Sequence, residues 1–448
     1  MKFRKFGKAL LMSAISAGAI LSVTSCVQSY TVGFLYVTGN ETSGTTGQGI
    51  ISGFKIDHNT GYLTPVNGMP ISSGGANPGR AVLLAGSRFF YVLNQGVDAS
   101  GGDNCTSMSS PCTGSNISLF AVGTNGVLSA QPQQFYSQGY NPFRIVADSQ
   151  GNYIYVLDHD APDSGNGAAS NSCTLALGPT YKTCGDITAF KVDQTTGRLS
   201  LQINTQVSTA SGQPLPYFPV PADPIDMQLS HNFMLVMSGT PSTGDLVFPY
   251  TYSATNGQLT VSQNGSQPLN IFQGTALQSG TNYVYVLDNE PITANGITSP
   301  SQILPFSVGT GGALQAQTGG AVPDDPTQSD PLFLLTESKG KWVYVANTGD
   351  NQSQSNTQSG ITGYVIDTST QQLTTMPGSP FGTGAGPQCL VEDPSNQFIY
   401  TANFNSSTVT GLSLDQNSGV LRPLPGKANR AFSLTGPAAY CVVNGRTS

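Results

Sequence analysis

Charge is what this chain has least of. Only 9% of its 448 residues are Asp, Glu, Lys or Arg, against roughly 25% in an ordinary soluble domain. Its 17 Lys and Arg are outnumbered by 24 Asp and Glu, which excludes the basic face that nucleic-acid phosphates require. Three histidines are present, so proton transfer near neutral pH has few imidazoles to draw on. The seven cysteines never fall in a Cys-x-x-Cys spacing, which removes the usual structural zinc site. A G-x-S-x-G nucleophile elbow, an H-E-x-x-H helix and a phosphate-binding Gly-Lys loop are all missing. Asp98, Asp103, Asp160, Asp163, Asp324, Asp325 and Asp350 offer oxygen ligands suited to Ca²⁺, but in no EF-hand spacing, so no cofactor is expected.

A membrane-spanning run is lacking too. The uncharged stretch from Ala9 to Val23 is shorter than the ~20 residues a spanning helix needs, and polar sequence follows it. Lys2, Arg4, Lys5 and Lys8 precede it, which is the order of an export signal. It ends in Val23-Thr24-Ser25-Cys26, which resembles the lipobox of bacterial lipoproteins, where a Cys is acylated after cleavage. Residues 1–25 therefore read as a lipoprotein signal peptide, 26–33 as a short lipidated tether and 34–448 as the folded unit. Membrane contact is expected through acyl chains on Cys26 alone. Val27 is not the Asp that favours inner-membrane retention, so the expected location is the outer membrane or periplasm. Four of the 17 basic residues leave with the leader and none of the 24 acids do, which gives the mature chain a net charge of −11.

What the chain has in abundance is repetition. Seven times a short β-rich run recurs: Tyr36-Val37-Thr38, Tyr91-Val92-Leu93-Asn94, Tyr155-Val156-Leu157-Asp158, Leu235-Val236-Met237-Ser238, Tyr285-Val286-Leu287-Asp288, Tyr344-Val345-Ala346-Asn347 and Tyr400-Thr401-Ala402-Asn403. Only the fourth copy lacks the Tyr. Each is followed by a turn closing on Leu63, Leu128, Leu199, Leu259, Leu314, Leu373 or Leu421. A Gly stands two residues before each Leu, except at Gln371, and supplies the positive φ of a tight hairpin. An alternating apolar run led by Pro or Gly precedes each Tyr-Val run except the first, and Pro437 to Val443 is such a run with no Tyr-Val strand after it. The chain ends should therefore complete one blade together. The fold class is all-β: a seven-bladed β-propeller, the architecture that hides sheet edges by closing a ring. About 59 residues per blade fit one closed ring, with a monomer expected.

At these residues the chain resembles the lactonase-type, YVTN-repeat propellers, the fold of bacterial propeller 6-phosphogluconolactonases. That family supplies Arg and His from a Gly-Pro-Arg-His segment and Glu from an Asn-Glu-Leu segment. Here the Gly-Pro segments read Gly386-Pro387-Gln388-Cys389 and Gly436-Pro437-Ala438-Ala439, so the family's catalytic motif is not matched. A lactonase on this frame would have to use Arg80, Arg144, His159 and Glu290, with His159 and Glu290 as the proton-handling pair. His159 is the one imidazole expected on the face that carries the long loops 95–115, 159–185, 203–223, 289–301 and 348–360; His58 and His231 fall on the other.

Counting two residues past the Pro of each inner strand gives ring-equivalent positions at the channel mouth: Arg80, Arg144, Asp226, Phe333, Cys389 and Ala439. Two guanidiniums could clamp a carboxylate or phosphate and Asp226 could orient a hydroxyl. The same three residues could equally satisfy one another and knit blades. Cys105 with Cys112 and Cys173 with Cys184 read as local disulfides in long loops, while Cys389 and Cys441 lie in apolar runs that suit a buried free thiol as well as a bridge, which leaves their pairing open. The favoured function is a cell-envelope binding platform whose loop-rich face meets a carbohydrate, peptide or protein. The alternative is a hydrolase opening a sugar lactone.

Overall fold

A sheet that is apolar on both faces is stable only when it is covered on both sides, and the repeats of this chain cover one another. The computed structural model describes residues 30–445 except 42–47, 85, 87, 103–104, 106–109, 166–170, 231–232, 240–243, 263–268, 281–282, 350–357 and 426–430. The leader, Cys26, Asp103, His231 and Asp350 lie outside the described residues.

Seven antiparallel sheets, each built around a four-strand path, follow in chain order. The inner strands of blades 2 to 6 are Pro78–Leu83, Tyr140–Ala147, Pro224–Leu229, Gly274–Ser279 and Pro331–Thr336. Blade 7 has the short Val391–Glu392, extended by a bridge from Pro387 to Asn403. Blade 1 takes its inner strand, Ala438–Gly445, from the C-terminus and pairs it with Thr31–Asn40 from the N-terminus. The ring is thus closed by both chain ends, as the orphan run after Pro437 implies. Connectivity then places the short turns on one face and the long loops on the other.

The Tyr-Val strands are buried end to end, as in Phe89–Asn94, Trp342–Asn347 and Phe398–Asn403. One apolar cluster fills each interface between neighbouring blades. Tyr36 and Ile51 of blade 1, for example, pack with Phe90, Val92 and Phe120 of blade 2, and Val409 and Tyr400 of blade 7 pack with Leu35 and Val37 of blade 1.

Each interface also carries a polar clasp. The Tyr36, Tyr91, Tyr155, Tyr285, Tyr344 and Tyr400 hydroxyls donate to the carbonyls of Gly126, Gly197, Gly257, Gln371, Gly419 and Gly61, at 2.5 to 3.2 Å. Every acceptor is the positive-φ residue of the next blade's turn, including Gln371 at φ 60°. Two residues before each Tyr stands an aromatic residue, and the rings of Phe34, Phe89, Tyr153, Trp342 and Phe398 lie on the same turn as the clasp. A Cβ at Gly197 would come within 2.5 Å of Phe89, and one at Gly126 within 2.2 Å of Phe34. The turn glycine is therefore required twice, for its φ and for the ring above it. Blade 4 has Leu235 in place of Tyr; there the Ser262 hydroxyl donates to the Gly311 carbonyl of blade 5.

Disulfides join Cys105 to Cys112 and Cys173 to Cys184, the local pairs expected. The pairing of Cys389 and Cys441, open on sequence, is a third disulfide, with Cα atoms 5.9 Å apart. Burial in apolar runs is common to free and bridged cysteine, and only ring closure sets the inner strands of blades 7 and 1 side by side. Three disulfides mark a protein folded in an oxidising, non-cytoplasmic setting. Among the described residues no helix is long and apolar enough to cross a membrane.

Tyr155→Phe should cost about 1–2 kcal/mol in chemical denaturation, because it leaves the Gly257 carbonyl buried without a donor. A loss below a few tenths would mean that the clasp is dispensable. Replacing Cys389 and Cys441 together by Ala should cost about 2–4 kcal/mol, since the bridge closes the ring. An unchanged denaturation midpoint would contradict that role.

Candidate functional site

The register of the inner strands decides which side chains meet in the channel. Six inner strands carry an irregularity near their start that inserts one residue relative to the second strand. Just past it, Tyr440 faces Thr38, Arg144 faces Leu157, Asp226 faces Met237, Ala276 faces Leu287 and Phe333 faces Ala346. Arg80 occupies the same place in blade 2. Blade 1 differs from the count made on sequence, because its pairing starts at Ala438 rather than Pro437. Tyr440, not Ala439, therefore joins the ring.

These residues divide into a closed pair and an open one. Arg144 Nε donates to Asp226 Oδ1 at 2.9 Å, and the Arg144 Nη1 donates to its neighbour Phe143's carbonyl at 3.3 Å. Asp226 is almost wholly buried, and its second oxygen accepts the Leu277 backbone N–H of blade 5 at 2.8 Å. One carboxylate thus ties blades 3, 4 and 5, and its charge is spent on Arg144. Burial and then the charge of Arg80 pull the Arg144 pKa down to about 10, while Asp226 acts to raise it.

Arg80 has a different environment. Its guanidinium lies 4.8 Å from the ring centroid of Tyr440 and 5.4 Å from that of Phe333, and those rings meet edge to face at 6.0 Å. It makes no ion pair or hydrogen bond among the described residues. Cation–π contact holds a guanidinium without using its N–H donors, so the Arg80 fork remains available to an anion.

His159 belongs to the strand Tyr153–Asp160 rather than to a loop. Its imidazole stacks on Phe143 at 3.9 Å, and the Arg144 guanidinium lies 5.0 Å from the same ring. Burial, and then the charge of Arg144, lower its pKa to about 4, so the ring is neutral at pH 7. Glu290 stands apart: its carboxylate accepts from Gln273 Nε2 at 3.0 Å, and no contact joins it to Arg80, Arg144 or His159. Among the described residues no group of three His, Cys, Asp or Glu is arranged to hold a metal. Counting on sequence missed Phe143 and Tyr440, whose signal is only an aromatic beside a ring position.

His159 should titrate near pH 4, and its midpoint should rise in Arg144→Gln, which removes a repelling cation. Nitrogen-detected NMR of the imidazole checks this; a midpoint near 6.5 in the unsubstituted chain would contradict the buried, Arg-facing geometry.

Residues 301–442 match the family model described as lactonase, seven-bladed β-propeller. No curated protein matches the sequence. Among solved structures, a candidate 6-phosphogluconolactonase of Bacteroides fragilis superposes with TM-score 0.62 at 15% identity, covering 92% of this chain and 98% of its own. The periplasmic gluconolactonase of Pseudomonas aeruginosa superposes with TM-score 0.60 at 15% identity, over 92% of this chain and 98% of its own. In fold this chain is a seven-bladed β-propeller, and its residues 301–442 are similar in sequence to the lactonase-type members of that fold.

Proposed function

We propose that this protein is an exported, lipid-anchored binding propeller that captures a small organic anion at the loop-rich mouth of its channel, with Arg80 as the anion contact. The observation that carries this reading is the division of charge in the mouth. Asp226 satisfies Arg144, whereas Arg80 sits between Tyr440 and Phe333 with its donors unspent. A guanidinium on aromatic walls binds a carboxylate through two parallel N–H bonds while the rings exclude water from the apolar part of the ligand.

Hydrolysis needs more than this mouth supplies. A lactonase must deliver a base to water and stabilise the developing alkoxide. His159 is the imidazole at hand, and at a pKa of about 4 it is a weak base at neutral pH. Glu290 does not reach it, and the Arg-His and Asn-Glu-Leu segments that the family resemblance calls for are not matched.

The surrounding face suits a platform. Tyr136, Tyr140, Phe272 and Phe404 are exposed on segments that connectivity assigns to the loop-rich side. Single exposed aromatics on a polar, weakly charged face give a flat apolar surface to a carbohydrate or peptide without the patch that drives aggregation. Acyl chains on Cys26 would hold that face at a membrane surface.

The discriminating experiment pairs binding with turnover in the purified mature chain. Gluconate, chosen because the Pseudomonas neighbour is named a gluconolactonase, should bind in calorimetry, and Arg80→Ala should weaken it at least ~10-fold, as loss of a charge-assisted bidentate contact predicts. Gluconolactone and 6-phosphogluconolactone should open no faster than in buffer. Lactone turnover well above buffer, abolished in His159→Ala and Arg144→Ala, would establish the hydrolase instead.

A further inference from the structure

Blade 3 holds two carboxylates on a rung where blades 2 and 5 hold a bridging amide. Asp158, near the end of the second strand, faces Asp186 on the third, Cys184–Val192. On the matching rung of blade 2, Asn94 Nδ2 donates to Asn116 Oδ1 at 2.9 Å. In blade 5, Gln302 Nε2 donates to Asp288 Oδ2 at 3.1 Å. An N–H bridges the two side chains in both cases. Neither Asp158 nor Asp186 has such a hydrogen to offer when ionised.

Both side chains are fully buried. Asp158 Oδ1 accepts the Ser137 hydroxyl at 2.6 Å, and Asp186 Oδ2 accepts the Thr188 hydroxyl at 3.4 Å. The Gly139 backbone N–H also acts on the Asp158 carboxylate and favours its ionised form, but Asp158 Oδ2 and Asp186 Oδ1 make no hydrogen bond of good geometry. Both side chains crowd the same glycine: a Cβ on Gly139 would lie 1.9 Å from Asp186 Oδ1 and 2.7 Å from Asp158 Cβ. The other titratable groups facing the pair are Asp160 on the same strand, Asp163 in the loop beyond it and Tyr217. Asp160 and Asp163 repel negative charge on Asp186, and Tyr217 is a neutral phenol. His159 is turned to Phe143, and among the described residues no basic side chain pairs with either carboxylate. Burial, reinforced for Asp186 by the charge of Asp158, holds both well above the usual carboxylate range.

Two desolvated anions on one rung without a cation are not sustainable. A bound cation would need further ligands, and no third acidic, His or Cys side chain joins these two in a metal-holding group among the described residues. We propose that Asp158 and Asp186 share one proton, a carboxylic acid–carboxylate bridge that fixes the loop-rich end of blade 3 and is released as pH rises. Through Ser137, and through Gln138 N–H donating to Thr188 Oγ1 at 2.8 Å, the bridge anchors the segment leading into Tyr140–Ala147, which carries Phe143 and Arg144. Asp158 and Asp186 are thus positioning residues for the mouth, and the device is independent of which ligand that mouth binds.

The sign follows from the raised values. Unfolded carboxyls lose their protons near pH 4, while the folded pair keeps one to higher pH. The stabilisation is therefore complete below about pH 4 and is lost as pH rises to the raised value. The test uses the mature chain with Asp186→Asn, which restores the acid–amide rung of blade 5, and Asp158→Asn as a second variant should the first fail to fold. Parent-minus-variant infrared spectra at about pH 6 should show a protonated-carboxyl band, since the contribution of Glu392, raised to about 7 by burial, is common to both chains and cancels. The Tm of the parent should fall relative to the variant between about pH 4 and pH 8. An absent band overturns the proposal. So does a Tm that rises with added Ca²⁺ and falls with chelator in the parent alone, which would identify a cation in place of the proton.

Discussion

The interaction on which the whole ring depends is the clasp between a tyrosine in one blade and the turn of the next. A blade presents two apolar faces, so the hydrophobic effect alone would stack blades at many offsets. The buried hydroxyl of Tyr36, Tyr91, Tyr155, Tyr285, Tyr344 or Tyr400 reaches one carbonyl, the one exposed by the positive-φ residue of the neighbouring turn. At five of the six, a ring two residues earlier covers that turn. Burying an unpaired hydroxyl and carbonyl is costly, so each interface has one offset that satisfies both. Tyr400 with Gly61 gives the last interface the clasp of the other five tyrosine-bearing interfaces, and the Cys389–Cys441 bridge adds covalent closure there.

Much of this was legible in the residues. The seven Tyr-Val runs and their turn leucines fix blade number and order, and the unpartnered run after Pro437 identifies the closing strand. Even the odd copy is informative: Gln371, where Gly stands elsewhere, still takes φ 60° because the Tyr285 hydroxyl needs its carbonyl. What was not legible depends on contacts between distant segments. A one-residue irregularity at the head of the last inner strand moves the ring position from Ala439 to Tyr440, and periodicity cannot register it. The Cys389–Cys441 pair is invisible because burial of a thiol and of a disulfide look alike in sequence. His159 reads as a loop residue because Asp158-His159-Asp160 is polar; yet the strand runs on through it and its ring is held by Phe143.

The channel mouth illustrates how a propeller frame can keep its shape while its chemistry changes. Ring geometry delivers one residue per blade to the same layer, and its identity alone decides what the layer does. Here two adjacent blades deliver Arg, the next delivers Asp, and two others deliver aromatics. Asp226 faces Arg144 and the Leu277 N–H, which makes it structural. Arg80, one blade further round, finds only rings. The same low charge that makes the chain unusual leaves this guanidinium without a competitor.

The most direct test is a crystal structure of residues 26–448 soaked with gluconate. The carboxylate should make a bidentate contact with the Arg80 guanidinium, flanked by Tyr440 and Phe333, with the Arg144–Asp226 pair intact. Ligand seated instead against His159 and Glu290, with Arg144 drawn away from Asp226, would contradict it.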